Sequence, residues 1–101
     1  MEIRYLLKKA ILNDSEKKYL EKKIYRLEKY FKKLDQATVR AEVEISVNTL
    51  KEWRAELMIK TPYNLYRAVK KGQSFLEAVD LMDGAIQQQI RRQSEKAKRK
   101  R

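Results

Sequence analysis

The sequence contains no cysteine and no histidine among its 101 residues. The absence of cysteine excludes a disulfide scaffold and a thiol nucleophile, and without either residue type a zinc site would lack its usual ligands. Without an imidazole, the chain also lacks the side chain that most often serves as a general base near neutral pH. A glycine-rich phosphate loop and a serine nucleophile elbow are absent too. These absences favour a binding protein over an enzyme, with no cofactor, no metal and no small-molecule substrate.

Glycine and proline are scarce, with two and one residues, while 43% of the residues are hydrophobic. This composition is typical of a folded chain, and the length suits one domain with a single modest core. No apolar run approaches the ~18 residues that span a bilayer, and the chain does not begin with a signal-peptide pattern. We therefore expect a soluble cytoplasmic protein with no membrane partner.

Positive charge is abundant and concentrated in two segments. Lys and Arg number 25 against 14 Asp and Glu, which gives a formal charge of +11. Residues 15–34 carry +5 and residues 91–101 carry +6. We interpret residues 1–95 as a single domain and residues 96–101 as a basic C-terminal tail. A charge excess of this size predicts a polyanionic partner.

Hydrophobic periodicity predicts an α+β fold with the element order β-α-β-β-β-α. Alternating apolar and polar residues, which are typical of half-buried strands, predict strands at residues 2–7, 38–47, 53–60 and 65–70. The sequence does not decide which residues of the last strand face the core, because Leu65 with Val69 and Tyr66 with Ala68 both suit an inward position. Apolar residues three and four apart predict helices at residues 14–34 and from residue 75 onwards. The expected architecture is a four-stranded sheet with two helices packed on one face and solvent on the other.

Polar residues mark where both helices begin. Asn13 or one of the two residues after it can cap the first helix, and Ser74 with Glu77 forms a capping box before the second. Gly84 inside the second helix should cost roughly 1 kcal/mol relative to alanine. The sequence offers no reason for its presence.

The outer face of the first helix is predicted to be basic. Lys18, Lys22, Lys29 and Lys33 fall opposite the apolar stripe, with Arg26 beside them. A solvated lysine-rich face is the plain alternative. However, three glutamates in this segment neutralise only part of the charge. Unpaired like charge destabilises a helix, which favours a counter-charged ligand.

Tyr25 projects from the same outer side, where its ring has no core to fill. It can stack on an exposed base or cover the lysine stems.

A second basic cluster lies at the end of the second helix and beyond. Arg91 and Arg92 follow the buried Ile90 and suit fixed phosphate contacts, while Lys96 continues the cluster. Compensation of the helix dipole and an unstructured tail are the alternatives. Lys70 and Lys71 precede this helix and are predicted to extend the same surface.

Asp80 and Asp83 lie three residues apart on the second helix. They form the only pattern that suggests Mg²⁺, although helical acids in this arrangement are usually solvated or paired with a cation.

Several segments together resemble one known family. The segments are YLEKKIYRLEKYF (residues 19–31), VRAEVEI (39–45), YRA (66–68), FLEAVD (75–80) and IQQQIRR (86–92). In this order they resemble the ribosome hibernation-promoting factor and ribosome-associated inhibitor family, whose members are also called sigma-54 modulation or ribosomal subunit interface proteins. The resemblance covers nearly the whole chain.

The resemblance implies a translation inhibitor that acts in ribosome hibernation during stress. Such a domain binds the small ribosomal subunit between head and body, over the mRNA and tRNA positions, and contacts ribosomal RNA through basic helix faces. Residues at which the family is basic include Lys23. The charge pattern and the family resemblance together predict an RNA-binding surface. It consists of Lys18, Lys22, Lys23, Tyr25, Arg26, Lys29, Lys33, Lys70, Lys71, Arg91, Arg92 and Lys96.

The chain departs from the family pattern in the second helix. Leu76 replaces a usual tyrosine, and Ala85 and Gln88 replace residues that are often basic. Conversely, Lys70 and Lys71 stand where acidic residues are frequent. The chain ends without the C-terminal extension of the long forms, so we expect a short form.

Two other functions remain open from the residues alone. A double-stranded RNA-binding module also packs helices on a small antiparallel sheet. A basic protein-interaction domain would bind an acidic protein instead.

Overall fold

The structure, a computed structural model, describes the backbone of residues 1–99 and the side chains of residues 1–94. The strands and helices follow the predicted order: β1 (Glu2–Lys8), α1 (Asp14–Tyr25), β2 (Arg40–Val47), β3 (Trp53–Lys60), β4 (Leu65–Gly72) and α2 (Phe75–Arg99). No helix of the described chain is both long enough and apolar enough to cross a membrane.

The four strands form one sheet in the order β1-β2-β3-β4. β1 and β2 run parallel and are connected through α1, whereas β2-β3 and β3-β4 are antiparallel. The predicted antiparallel pairing of the second and third strands is therefore confirmed. β1 and β4 are the two edge strands.

The core lies between the sheet and the two helices, on one face of the sheet. Inward residues of the three antiparallel strands are Ala41, Val43, Ile45, Ala55, Leu57, Ile59, Tyr66 and Ala68. Leu20 and Ile24 of α1, and Val79, Met82 and Ile86 of α2, pack onto them. The predicted α+β architecture is confirmed. Of the two alternatives for β4, Tyr66 and Ala68 face the core.

The first helix changes its winding at Arg26. Residues Arg26–Phe31 form a 3₁₀ segment, followed by a turn and a second short 3₁₀ segment at Gln36–Thr38. The prediction of one helix as far as Leu34 is therefore wrong beyond Tyr25. Leu27 and Phe31 are nevertheless buried as predicted. Over so few residues, windings of 3.6 and 3.0 residues per turn leave nearly the same apolar spacing, so the pattern could not distinguish them.

Both predicted helix caps are present. Asn13 accepts from the backbone N–H of Glu16, whose carboxylate accepts from the N–H of Asn13. At α2, the Ser74 hydroxyl accepts from the N–H of Glu77, as predicted. The Glu77 carboxylate accepts from the backbone N–H of Gln73 and not from that of Ser74, so the predicted capping box is only half formed. These contacts satisfy amide groups that a helix start leaves unpaired.

The two glycines give opposite stability predictions. A Cβ on Gly72 would lie 2.7 Å from the Ala78 backbone nitrogen, because the end of β4 meets the first turn of α2 there. Gly72→Ala should therefore lower the free energy of unfolding by about 1–3 kcal/mol through overpacking. A Cβ on the exposed Gly84 would have no atom within 4 Å. Gly84→Ala should raise the free energy of unfolding by up to about 1 kcal/mol, because alanine is the better helix former. Urea unfolding of both variants measures this, and equal effects would contradict it.

The open face of the sheet carries a network of ion pairs. Arg54 bridges Glu44 and Glu56 at 3.0 and 2.9 Å, and Arg67 contacts Glu56 at 2.6 Å. Lys8 reaches Glu44 at 3.0 Å. The hydrogen bond from Arg67, helped by Arg54, holds the pKa of the Glu56 carboxyl below its ordinary value despite its partial desolvation. Many cations on this face are therefore matched by carboxylates.

Candidate RNA-binding surface

The exposed side of α1 and of the 3₁₀ segment carries one continuous basic strip. Lys18 and Lys22 lie one turn apart on α1, opposite the buried Leu20 and Ile24. Arg26 and Lys29 continue the strip in the 3₁₀ segment, where residues three apart stand above one another. All four are exposed. We call Lys18, Lys22, Arg26 and Lys29 the basic ridge.

The basic ridge is not neutralised from within the molecule. Among the side chains of residues 1–94, no carboxylate lies within 4.0 Å of a ridge cation. The Lys29 ammonium instead lies 5.2 Å from the centre of the Tyr30 ring, a cation-π distance. Since the open sheet face pairs many of its cations, the two sides of the molecule differ in electrostatic character. The basic ridge retains its charge for an external anion.

Lys23 does not belong to the basic ridge, although it was predicted as an RNA contact. Its side chain is only 21% exposed and points between the helices, 3.4 Å from Asp80 and 3.9 Å from Asp83. It also lies 5.4 Å from the centre of the Tyr19 ring. Desolvation alone would lower the pKa of Lys23, but the phenol and the two carboxylates outweigh it and raise the pKa. Lys23 therefore links α1 to α2.

Replacing Lys23 should affect stability and leave RNA binding unchanged. Lys23→Met would leave Asp80 and Asp83 facing α1 without their cation, so the free energy of unfolding should fall by about 1 kcal/mol. The neighbouring Lys22→Met is the matched control, because Lys22 is exposed on the basic ridge. It should leave stability within about 0.5 kcal/mol and lower RNA affinity roughly tenfold. Chemical unfolding and an RNA-binding titration measure both effects, and a large loss of affinity in Lys23→Met would contradict the assignment.

Arg91 and Arg92 are exposed on α2 but occupy different positions. Arg92 lines a shallow depression beside the start of β4, together with Asn64 and Gln93. The Arg91 guanidinium lies 3.4 Å from the Gln87 side-chain oxygen, one turn earlier on α2. Consecutive helix residues diverge by about 100°. The two arginines therefore extend from different sides of α2.

Lys70 and Lys71 lie on opposite faces of β4, because strand residues alternate. Lys70 is in register with the inward Ala55 but is exposed at the sheet edge. Lys71 is on the open face, 3.8 Å from Glu52. The prediction that both extend the helix surface does not fit this placement, since Lys71 belongs to the sheet side.

The remaining predicted residues divide into three cases. Tyr25 is 44% exposed but lies on the flank of α1 nearest β1, close to Tyr5. Burial raises the pKa of Tyr5, and the nearby carboxylate of Glu21 adds to this increase. Lys33 is exposed in the turn after the 3₁₀ segment. The side chain of Lys96 and the predicted tail of residues 96–101 lie outside the described side chains.

Sequence reasoning missed one basic residue that the 3₁₀ winding brings into line. Lys32 is exposed and lies three residues beyond Lys29, in the same column as Arg26 and Lys29. The helical period placed Lys33 in that position instead. Only recognition of the tighter winding could have found Lys32.

Asp80 and Asp83 are engaged by protein side chains. The Tyr19 hydroxyl donates to Asp80, the Gln87 amide donates to Asp83 at 2.8 Å, and Lys23 pairs with both. Within the described part of the chain, no group of three or more acidic side chains could hold a metal ion. Their arrangement therefore serves helix packing.

Comparison with known proteins supports one family. Residues 7–98 match the family described as sigma 54 modulation protein / S30EA ribosomal protein. The N-terminal domain of Thermus thermophilus Protein Y superposes with a TM-score of 0.74 at 26% identity, covering 91% of this chain and 98% of that one. A ribosomal subunit interface protein from Coxiella burnetii gives 0.77 at 16% identity, with coverage of 94% and 99%, and supports the fold. A comparison with curated protein sequences gave no match.

Proposed function

The chain belongs to the sigma 54 modulation protein / S30EA ribosomal protein family, and on this premise we propose that it inhibits translation by occupying the small ribosomal subunit. As a member it is a ribosome-associated factor, which implies the ribosome as partner and the cytoplasm as location. The family is not a family of enzymes. The proposed site is the channel that mRNA and tRNA would otherwise fill, and the proposed role is ribosome hibernation.

The basic ridge is the observation that carries the proposal. Its four cations have no carboxylate partner among the described residues, while several cations of the open sheet face do, including Lys8, Arg54 and Arg67. A fold that pairs charges on one side and leaves a row unpaired on the other is suited to an external polyanion. Phosphates of ribosomal RNA supply such a row of negative charge.

Inhibition by this arrangement requires no chemical step. Each phosphate contact releases condensed counterions, so the affinity falls as the salt concentration rises. Phosphate contacts position a protein without reading the base sequence. A rigid α+β domain held in this way would exclude mRNA and tRNA by its volume alone.

Co-sedimentation with isolated ribosomal subunits tests the proposal. At low salt the protein should pellet with the small subunit and not with the large one, and mRNA together with tRNA should displace it. If the small subunit pellets at low salt and the protein stays in the supernatant, the proposal is overturned.

Two control ligands distinguish the competing functions. Equal affinity for a short RNA duplex and for the small subunit would favour a double-stranded RNA-binding module. Equal affinity for polyglutamate would favour an acidic protein partner. The proposal expects both controls to bind more weakly than the small subunit.

A further inference from the structure

The edge strand β1 presents apolar side chains to solvent on both of its faces. Tyr5, Leu6 and Leu7 are 45%, 51% and 39% exposed. Proteins usually protect an edge strand with charged residues, bulges or a covering segment, because its unpaired amides can bind another strand. Only Arg4 places a charge inside β1, between Glu2 and Lys8 at its ends. β1 is therefore an edge suited to strand pairing.

The opposite edge of the sheet is capped at its middle by a side chain. Gln89 of α2 accepts from the backbone N–H of Arg67 at 3.0 Å and donates to the Arg67 carbonyl. This amide occupies both outward groups at the middle of β4. None of the described side chains makes a comparable bond to the backbone of Ile3, Tyr5 or Leu7. The two edges therefore differ at their centres, because the outward groups at the middle of β4 have a side-chain partner and those at the middle of β1 have none among the described side chains.

The backbone of β1 fixes which residues can pair outward. The N–H of Glu2 donates to the Val39 carbonyl on the β2 side, at 3.2 Å. Backbone groups alternate along a strand, so the even residues of β1 bond to β2. The N–H and C=O groups of Ile3, Tyr5 and Leu7 consequently point away from the sheet.

We propose that β1 pairs antiparallel with β1 of a second copy of this chain, centred on Tyr5. In this register Tyr5 faces Tyr5 of the second copy, Ile3 faces Leu7, and Glu2 faces Lys8. All the outward groups of Ile3, Tyr5 and Leu7 then find partners, because odd residues face odd residues. The two sheets become one continuous sheet of eight strands.

Charge selects this register over its neighbours. A slip by one residue would place outward groups opposite inward ones and lose the backbone bonds. A shift by two residues would place Arg4 opposite either Arg4 or Lys8 of the second copy. Cross-strand like charges are destabilising, whereas opposite charges contribute favourably. Among the residues of β1, the central register gives two Glu2–Lys8 pairs and no like-charge pair.

Side-chain burial favours the same pairing. Ile3, Tyr5 and Leu7 are in register with Ala41, Val43 and Ile45, so they lie on the helix side of the sheet. Pairing would bring the exposed parts of Tyr5 and Leu7 against their counterparts, with Tyr25 nearby. Among residues 1–94, Glu2 has no ion-pair partner, so it is available to Lys8 of the second copy, whose ammonium group would then lie between this carboxylate and its own Glu44. Since β1 contains no residue of the basic ridge, this self-association is independent of the proposed ribosome binding.

Analytical ultracentrifugation of the full chain tests the proposal, from micromolar to near-millimolar concentration. The wild type should show a reversible monomer-dimer equilibrium. Glu2→Lys and Lys8→Glu should each weaken dimerisation by roughly tenfold, because each turns two attractive pairs into repulsive ones. An equimolar mixture of the two variants should form a heterodimer, because attraction is restored at both ends. Leu65→Lys is the matched control, since Leu65 is also exposed but lies on the β4 edge. This variant should dimerise as strongly as the wild type.

Amide hydrogen exchange provides a measurement that needs no variant. The N–H groups of Ile3, Tyr5 and Leu7 should become protected as the wild-type concentration rises, while exposed amides elsewhere should not. A wild type that stays monomeric over the whole range would overturn the proposal. A mixture of variants that fails to associate, although both are folded by circular dichroism, would also overturn it.

Discussion

Replacing Lys22, Arg26 and Lys29 together with glutamine should lower the affinity for the small ribosomal subunit by a hundredfold to a thousandfold. The estimate follows from roughly a tenfold loss for each phosphate contact removed near 0.1 M salt. All three side chains are exposed, and none has a carboxylate within 4.0 Å among the described side chains. Their replacement therefore removes charge without leaving an unpaired acidic group in the protein. The free energy of unfolding should change by less than about 1 kcal/mol.

The salt dependence gives a second and sharper measure of the same variant. The logarithm of the affinity falls linearly with the logarithm of the salt concentration, by about 0.7–0.9 for each phosphate neutralised. Loss of three contacts should therefore flatten this slope by about 2–3 units. A change in affinity without a change in slope would mean that the three residues do not contact phosphates.

A control with the same change in net charge separates contact from long-range attraction. Arg4, Arg40 and Lys60 are exposed on the open face of the sheet, away from the basic ridge. Their joint replacement with glutamine also removes three positive charges. It should weaken binding less than tenfold and leave the salt slope nearly unchanged, because distant charges are largely screened at 0.1 M salt. Equal losses in both triple variants would contradict a binding surface on the basic ridge.

The fold could be predicted from the sequence because its periodic signals are strong. β2 and β3 alternate so regularly that their inward residues were identifiable, and the structure confirms Val43, Ile45 and Leu57 in the core. The capping signals also placed the start of both helices, since a side-chain acceptor three residues before a free N–H is a local requirement. Strands and helix starts whose geometry depends on neighbouring residues in the sequence could therefore be predicted.

The candidate site was harder to predict, because it depends on which elements pack together. Nothing in the sequence near Lys23 indicates that Asp80 and Asp83 lie beside it, since they are 57 and 60 residues away. A lysine that pairs across two helices has the same local pattern as one that faces solvent. The hydrogen bonds between Gln89 and the backbone of Arg67 could not be predicted for the same reason. Tertiary contacts therefore decided which basic residues remain available to a ligand.

The basic ridge also depends on a change of winding that leaves little trace in the sequence. The 3₁₀ segment turns Lys32 towards the side where an α-helix would have placed Lys33. Its geometry is held by buried residues, of which Phe31 is the last. The stability of this anchor and the position of the basic ridge are consequently linked.

Phe31→Ala should therefore be the most destabilising single change considered for this chain. Phe31 is 4% exposed, and its ring lies 5.9 Å from that of Tyr66 in β4. Loss of the ring removes buried apolar area and leaves a cavity, so the free energy of unfolding should fall by about 3–5 kcal/mol. A domain of this size is typically stable by only about 5–15 kcal/mol, so the melting temperature should drop by more than about 10 °C. Differential scanning calorimetry measures this directly.

The comparison variant for Phe31→Ala is Leu50→Ala, which removes a side chain that is 87% exposed in the loop between β2 and β3. It should change the free energy of unfolding by no more than about 0.5 kcal/mol. At a temperature where Phe31→Ala is still folded, its affinity for the small subunit should fall by less than in the triple variant, because every cation of the basic ridge remains. Similar stabilities for the two alanine variants would show that Phe31 does not anchor the 3₁₀ segment. A loss of affinity in folded Phe31→Ala as large as that of the triple variant would show that position, more than charge, governs binding by the basic ridge.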